Sequence, residues 1–258
     1  RPYISIPHDN ETGLSRAEDY AKYVTPDTRV ACILHASPVT GMGMDVAAIA
    51  AAIRAVSPEC YIVVDGVQNA AHGTLDIDSY DVDGYAISPY KMFSRHGYGF
   101  AWVSDRFMRA PHEQLIGGPE TAWEFGTRDT GSYATFSDVV TYLDWLGTQT
   151  APSENRRERL IGAGKAILAH EKALCDAMIH GIGNLSGLAE MTDVEIIGGL
   201  DNPHRKGMVS FRIKGRASAE IVTALNERGI RTHTRKADHY SGNVLDPLGW
   251  SGCVRVSI

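Results

Sequence analysis

The chain has 258 residues, of which 43% are hydrophobic and 22% are charged, and its formal net charge at pH 7 is −6. This composition is near the average for globular proteins and excludes disordered and fibrous classes, while the length allows one large domain or a large and a small one. The negative charge argues against a nucleic-acid-binding surface, and no apolar run is long enough to cross a bilayer. Because the N-terminus has no signal-peptide pattern either, a soluble cytoplasmic protein is expected.

The four cysteines are far apart and form no C-x-x-C pair, which disfavours both a disulfide framework and a zinc site. The histidines are scattered as well, so we predict no metal. The chain begins without a methionine and ends at VRVSI, which has the pattern of a strand. We therefore expect a fragment of a longer polypeptide, in which an N-terminal part and the C-terminal end are missing.

The first half of the chain shows a regular order of predicted elements. A capping-box pattern at residues 15–18 predicts a helix through about Tyr23. Residues 29–36 are nearly continuous in apolar and β-branched character, which is typical of a strand covered on both faces. Asp45 is a candidate cap for a helix that a Ser-Pro pair ends, and YIVVD at 61–65 predicts a second buried strand. The order strand, helix, strand predicts a parallel pair with a right-handed crossover.

The second half of the chain predicts a further, smaller region. Short strands are predicted at 85–88 and 99–104, and a long helical pattern runs through 155–180. After this helix the chain alternates a strand at MVSFRIK, a helix at ASAEIVTALNER, and short strands at IRTHT and VRVSI. We therefore predict an α/β fold, with a mostly parallel sheet flanked by helices in a large domain, residues 1–150, and a smaller C-terminal α/β domain, residues 151–258.

Polar side chains follow three of the predicted strands where each strand ends. Asp65 is the last residue of one strand, Ser88 and Lys91 follow another, and His35 and Ser37 close a third. In an open parallel sheet, ligands bind beyond the carboxyl ends of the strands. We therefore expect these side chains to meet at one edge of the sheet.

An amine and a carboxylate placed in this way suit one cofactor in particular. A partly desolvated lysine has a lowered pKa, so that its neutral amine can attack an aldehyde and form an imine. A fixed carboxylate can keep a pyridine nitrogen protonated, which makes the ring an electron sink. This combination predicts pyridoxal 5'-phosphate chemistry.

The segment VVDGVQNAAHGTLDIDSYDVDGYAISPYKMFSRHGYGFAWVS, residues 63–104, resembles the cofactor segment of the class V aminotransferases. This family of fold type I pyridoxal phosphate enzymes includes cysteine desulfurases and isopenicillin N epimerase-like proteins. Matching pieces also occur at HASPVTG, at WEFGTRDTGSYA and at the C-terminal VRVS. The resemblance therefore covers most of the chain.

The resemblance implies roles for the polar residues of the segment. Lys91 would be the lysine that forms the Schiff base, and Asp65 would be the partner of the pyridine nitrogen. Gln68, in a D-x-x-Q pattern, would donate to the phenolic oxygen of the cofactor, and Ser88 would hold the phosphate. Tyr90 stands where many members have a histidine and is a further candidate contact of the phosphate.

Two further roles follow from the resemblance outside this segment. Thr127, in EFGTRD, matches a threonine that reaches the phosphate of the neighbouring subunit, which implies a homodimer with a shared active site. Arg255, in VRVS, matches the arginine that binds the substrate carboxylate, a task that suits a planar guanidinium. Arg231 and Arg235 are rival candidates for that carboxylate.

These residues also have ordinary structural alternatives. Lys91 alone would be a solvated lysine, Asp65 a helix N-cap, and Arg255 one half of a surface ion pair of little energetic value. His35 and His72 are candidate contacts of the cofactor ring or the substrate, and His35 is counted among the cofactor-binding residues. The alternative for both histidines is a hydrogen-bonded structural position.

The sequence departs from the desulfurase pattern in two places. Pro38 stands where desulfurases commonly have an asparagine, and a proline offers no side-chain donor. The loop that carries the nucleophilic cysteine of desulfurases corresponds to IRTHTRKADHYSGN, residues 230–243, which contains no cysteine. These departures weigh against a desulfurase, while the GTRD motif resembles the aminotransferase and epimerase branch.

We therefore expect an enzyme that binds an amino acid as an external aldimine and breaks a bond at its α-carbon, with an aminotransferase-like or epimerase-like outcome. A cysteine desulfurase or another C–S lyase is the alternative within the family. A non-catalytic binding or scaffold subunit with a relic fold is the alternative of another class. The expected partners are a small amino-acid substrate and a second copy of the chain, with neither nucleic acid nor membrane.

Overall fold

The computed structural model describes residues 3–126 and 129–258. The chain forms two compact units, which we name by their sheets. The parallel-sheet unit comprises residues 24–35 and 45–166, and the antiparallel-sheet unit comprises residues 1–23, 36–44 and 167–258. The domain boundary near residue 150 stays a prediction. In the described ranges, no helix combines the length and the apolar character that crossing a membrane requires.

The described residues form strands and α-helices along both units. The strands are β1 (Val30–Leu34), β2 (Tyr61–Asp65), β3 (Gly84–Ile87), β4 (Phe100–Val103), β5 (Gly181–Ile182), β6 (Leu185–Ser186), β7 (Val194–Ile196), β8 (Met208–Ile213), β9 (His233–Lys236) and β10 (Gly252–Ser257). The helices are α1 (Ala17–Ala21), α2 (Val46–Val56), α3 (Asp105–Met108), α4 (Thr130–Thr150), α5 (Arg156–His180), α6 (Ser218–Asn226) and α7 (Gly242–Leu245).

The sheet of the parallel-sheet unit has the order β1-β2-β3-β4. The first three strands are parallel, and β4 runs antiparallel to β3. Ile33 of β1 and Ile62 and Val64 of β2 are fully buried. Val30 and Cys32 of β1 are exposed, so the expectation that this strand is covered on both faces is wrong. The predicted α/β class with a mostly parallel sheet is confirmed.

The helix starts show where capping patterns predict structure and where they do not. Asp45 caps α2 as predicted, because its Oδ1 accepts a hydrogen bond of 3.0 Å from the backbone N–H of Ala48. The capping box expected at Ser15 is wrong. The Ser15 hydroxyl donates instead to the carbonyl of Pro7, and the carboxylate of Asp19 accepts from the backbone N–H of Arg16, so that α1 begins later than predicted.

Asp83, directly before β3, is the centre of a buried ion network. Its side chain is 4% exposed and accepts hydrogen bonds of 2.7 Å from both Arg54 and Arg106. The same carboxylate accepts from the backbone N–H of Ile62, at 2.9 Å, and from the hydroxyl of Ser104, at 3.2 Å. Because these donors come from α2, β2 and the β4–α3 connection, Asp83 joins several elements of the parallel-sheet unit.

The antiparallel-sheet unit is built on a sheet of order β7-β8-β10-β9, with a separate β5–β6 hairpin. One face of the sheet packs on α5 and α6 through a core that includes Val254 of β10, whereas Cys253 belongs to a second core on the other face. Since side chains alternate along a strand, Arg255 lies on the same face as Cys253. We call this the Cys253 face.

Candidate active site

The carboxyl ends of β1, β2 and β3 lie side by side. The pairing register sets Leu34 opposite Asp65, and Asp65 opposite Ala86. His35 follows β1 directly, and its backbone N–H donates to the carbonyl of Asp65 at 2.9 Å. The same edge of the sheet therefore carries His35 after β1, Asp65 at the end of β2 and Ser88 after β3.

Asp65 presents an exposed carboxylate at this edge. Its Oδ1 accepts a hydrogen bond of 3.0 Å from the backbone N–H of Val67, which fixes the carboxylate over the turn after β2. Among the residues that the structure describes, no other group donates to it. Oδ2 of Asp65 can therefore accept a hydrogen bond from a ligand.

Lys91 ends a 3-10 turn, Pro89–Lys91, and its side chain is held by a buried glutamine. Nζ of Lys91 donates to Oε1 of Gln68 at 2.7 Å, and Nε2 of Gln68 lies 2.8 Å from Nε2 of His72. An ammonium group can only donate, so the glutamine must turn its oxygen to the lysine and its nitrogen to the histidine. His72 must then accept at Nε2 and carry its proton at Nδ1. Lys91 is therefore a half-buried, oriented group rather than a solvated surface lysine.

His35 lies in a buried aromatic cluster behind this edge. Its Nδ1 is 2.7 Å from the hydroxyl of Tyr85, and its ring meets Tyr80 and Tyr85 edge-on. Burial, followed by the neighbouring Tyr80, raises the pKa of Tyr85 well above its ordinary value. A methyl group at Gly66 would stand 2.0 Å from the Tyr85 ring, so only glycine allows this packing. His35 thus occupies a hydrogen-bonded structural position, which is the alternative given for it above. Its role as a cofactor contact stays a prediction.

The other predicted phosphate contacts lie around the Lys91 turn or outside the described residues. Ser88 precedes the turn, is half-buried, and its carbonyl accepts from the backbone N–H of Lys91 at 3.1 Å. The ring of Tyr90 stacks on His96, with centroids 4.3 Å apart. Thr127 lies outside the described residues.

Phe93 is a feature of the site that the sequence reasoning missed. It has a φ of 68°, which is a strained conformation for a bulky residue, and it lies two positions after Lys91. Its ring contacts Tyr142 of α4 edge-on, with centroids 5.4 Å apart. No sequence pattern marks such a position, because the positive φ is normally the sign of a glycine.

Arg255 lies in the antiparallel-sheet unit, half-buried on the Cys253 face. It stands opposite Ser210 of β8 and opposite His233 of β9. Its Nη1 is 3.5 Å from the carbonyl of Pro38, in the loop with the HASPVTG motif. Its rival Arg235 stands opposite Cys253 on the same face.

Comparison with known proteins decides the family. The sequence model of the family described as Aminotransferase class-V matches residues 3–258. The chain belongs to the class V aminotransferase family. Members of this family are enzymes that use pyridoxal phosphate.

Its relatives include cysteine desulfurases. The cysteine desulfurase of Haloferax volcanii is 24% identical over 99% of this chain and 56% of its own length, and a probable cysteine desulfurase of Halobacterium salinarum is 27% identical over 99% and 58%. The chain thus spans a little over half the length of these curated relatives. A solved cysteine desulfurase from Escherichia coli shares the fold with a TM-score of 0.73, at 20% identity over 99% of this chain and 60% of that one.

The residues at the edge of the parallel sheet fit the cofactor of the family. Lys91 supplies the amine, and Asp65 supplies a fixed carboxylate with an oxygen able to accept from a ring nitrogen. The amide nitrogen of Gln68 has two hydrogens and gives one to His72, so the second can go to an oxygen of the cofactor. The donor set therefore matches the amine, the ring nitrogen and the phenolic oxygen that pyridoxal phosphate chemistry requires.

Proposed function

We propose that this chain is the core of a pyridoxal phosphate-dependent enzyme that acts at the α-carbon of an amino acid, with an aminotransferase-like or epimerase-like outcome. The observation that carries the proposal is the 2.7 Å contact between the Lys91 amine and buried Gln68, at the sheet edge that also bears Asp65. A lysine of the surface would have no reason to be oriented in this way. Family membership supports the same conclusion.

Each residue of the site has a role that its contacts favour. When bound, pyridoxal phosphate supplies a ring that takes up the electron pair of the bond broken at the α-carbon. Lys91 would hold the cofactor and then remove or return the proton at the α-carbon, while Gln68 keeps its amine oriented. Asp65 would hold the ring nitrogen, Ser88 would bind the phosphate, and Arg255 would bind the α-carboxylate of the substrate.

An absorption spectrum tests the proposal. The purified protein with added pyridoxal phosphate should show a visible band that is absent from Lys91→Ala, and the variant should lose about 10³-fold or more of any activity. Lys22→Ala is the matched control, because Lys22 is exposed and pairs only with Asp19 on the surface. A colourless wild-type protein that ignores the cofactor would instead support a scaffold subunit with a relic fold.

Cysteine desulfurase activity is the second candidate, because the relatives carry that name. Within this chain, residues 230–243 offer no cysteine. Cys60, Cys175 and Cys253 are buried, and burial raises the pKa of each thiol, that of Cys253 to about 11. Such thiols supply little thiolate near neutral pH. The test uses L-cysteine with dithiothreitol, which reduces the removed sulfur to sulfide. Formation of alanine and sulfide by the loaded protein, persisting in Cys253→Ser, would establish sulfur removal that does not need the Cys253 thiol.

We also propose that the enzyme is a homodimer in which Thr127 of one subunit reaches the phosphate of the other. The support is the resemblance of the EFGTRD motif to that of the family. Light scattering should give the mass of a dimer, and Thr127→Ala should weaken cofactor binding without changing that mass. A monomer with full cofactor affinity would contradict this part of the proposal.

A further inference from the structure

The Cys253 face of the antiparallel sheet gathers positive charge from two neighbouring strands. Arg255 of β10 stands opposite His233 of β9, and Cys253 of β10 stands opposite Arg235 of β9. Directly opposed residues share a face, so the two arginines are diagonal neighbours on either side of the Cys253 thiol. Arg231 lies just before β9.

Two arginines of this group, Arg231 and Arg235, have no carboxylate partner among the described residues. Nε of Arg235 is shielded from water and has no hydrogen-bond partner among the described residues. The terminal nitrogens of Arg235 are not among the shielded atoms, so an anion from outside the chain can reach the guanidinium there.

The arginines of this face also shift the pKa values of two neighbouring groups. The pKa of His233 is lowered, first by loss of water around the ring and then by the charges of Arg255, Arg231 and Arg235. None of the groups that shift it is a carboxylate. At Cys253, burial raises the pKa of the thiol, while Arg235 and Arg255 both oppose that rise. Both guanidinium groups therefore act on the same small region of the face.

We propose that Arg235 binds a second anionic group of the substrate, so that the substrate is an amino acid with an acidic side chain. The inference rests on the proposed function, in which Arg255 binds the α-carboxylate. Diagonal neighbours on a sheet are roughly 7–8 Å apart at Cβ, and two guanidinium groups at that spacing can each hold one carboxylate of a short dicarboxylate. A substrate with one carboxylate leaves Arg235 without its acceptor.

Isosteric pairs of amino acids test the inference. The cofactor-loaded protein is titrated with L-aspartate against L-asparagine, and with L-glutamate against L-glutamine, and the change in its visible spectrum gives each affinity. We expect one acid to bind about 30-fold or more tightly than its amide. Arg235→Gln should reduce that preference to within about threefold, whereas the surface control Arg228→Gln should keep the preference. Arg235→Lys keeps the charge but loses the planar guanidinium, so its preference for the acid over the amide should lie between those of Arg235→Gln and Arg228→Gln.

A second pair of ligands separates this inference from the proposed function. Succinate and its monoamide succinamate have no amine, so their binding, measured by calorimetry, does not depend on cofactor chemistry. Succinate binding that exceeds succinamate binding and disappears in Arg235→Gln supports the anion site even if no amino acid changes the spectrum, in which case only the proposed function fails. Equal affinity for acids and amides in the wild type, or a preference that survives in a folded Arg235→Gln protein, would overturn the inference.

Discussion

Two arginine clusters, one in each unit, differ in where their negative charge comes from. In the parallel-sheet unit, Arg54 and Arg106 both donate to the carboxylate of Asp83, which is buried. In the antiparallel-sheet unit, Arg235 and its neighbour Arg231 have no carboxylate partner among the described residues. The first cluster therefore has its counter-ion within the described residues, whereas Arg231 and Arg235 have none there.

This difference separates a structural cluster from a binding one. A buried carboxylate with several donors ties elements together, and its loss leaves uncompensated charges inside the protein. An arginine cluster without a counter-ion repels itself in the free protein and gains only when an anion arrives. The same residue type therefore stabilises the fold in one unit and prepares a ligand site in the other.

Removal of Asp83 should have the largest effect on stability. Asp83→Ala leaves Arg54 and Arg106 without their shared partner, and we expect the free energy of unfolding to fall by about 3–5 kcal/mol. Denaturant unfolding at neutral pH measures this change. Asp81→Asn is the control, because Asp81 pairs with Arg54 at 3.5 Å from a side chain that is 76% exposed, and asparagine tolerates the positive φ of this position; the loss should cost at most about 1 kcal/mol. Similar losses in both variants would show that the Asp83 network is not structural.

The Asp83 network should also make the fold sensitive to acid. Burial alone would raise the pKa of Asp83, but hydrogen bonds from Arg106, Ile62 and Arg54 outweigh it and hold the pKa below its ordinary value. A depressed pKa gives stability that is present above the ordinary aspartate value of about 3.9 and is lost as the pH falls through the folded value. The difference in unfolding free energy between wild type and Asp83→Asn should therefore shrink below about pH 4. A difference that stays constant to pH 2 would contradict the assignment.

Removal of one charge from the arginines on the Cys253 face should keep or raise the free energy of unfolding, in contrast to the loss expected for Asp83→Ala. Arg235→Gln removes one of several like charges, so we expect the free energy of unfolding to stay the same or to rise by up to about 1 kcal/mol. Arg54→Gln, in the compensated cluster, should lower it by about 1.5–3 kcal/mol. Chemical denaturation of the two variants side by side provides the measurement. A clear loss of stability in Arg235→Gln would mean that this arginine has a structural partner.

The smallest expected effect is on the titration of His233. Because Arg235 is one of the charges that, after loss of water around the ring, lower the pKa of His233, Arg235→Gln should raise that pKa. Proton NMR of the imidazole across the pH range from 4 to about 9 would follow the change. Arg228→Gln should leave the titration where it is. An unchanged pKa in Arg235→Gln would place this arginine too far from His233 to share a site.

The edge of the parallel sheet could be predicted from the sequence for a physical reason. Each buried parallel strand is a continuous apolar run, so its end is visible where the first polar residue appears, as at Asp65. The Cys253 face could not be found in this way. The pairing of Cys253 with Arg235 depends on the register between antiparallel strands, which the sequence does not specify without the fold around it.

Local sequence patterns predicted some of the remaining features correctly and missed others. The α2 cap at Asp45 is correct, since its carboxylate accepts from the backbone N–H of Ala48. The cap expected at Ser15 is wrong, since its hydroxyl is directed to the carbonyl of Pro7 and the N-cap position falls on Arg16. Helix α4 was missed, since GTRDTGSYA shows turn residues and not an apolar period. The Gln68–Lys91 contact was not predicted, because its residues lie on different loops that only the fold brings together.

Reductive trapping of the cofactor tests the central claim most directly. The loaded protein is treated with borohydride, digested, and mapped by mass spectrometry to find which lysine carries the pyridoxyl group. We predict modification at Lys91 and at none of the six other lysines. Lys206 is the strictest internal comparison, because burial lowers the pKa of its amine. A pyridoxyl group on Lys206, or on no lysine, would contradict the assignment of Lys91.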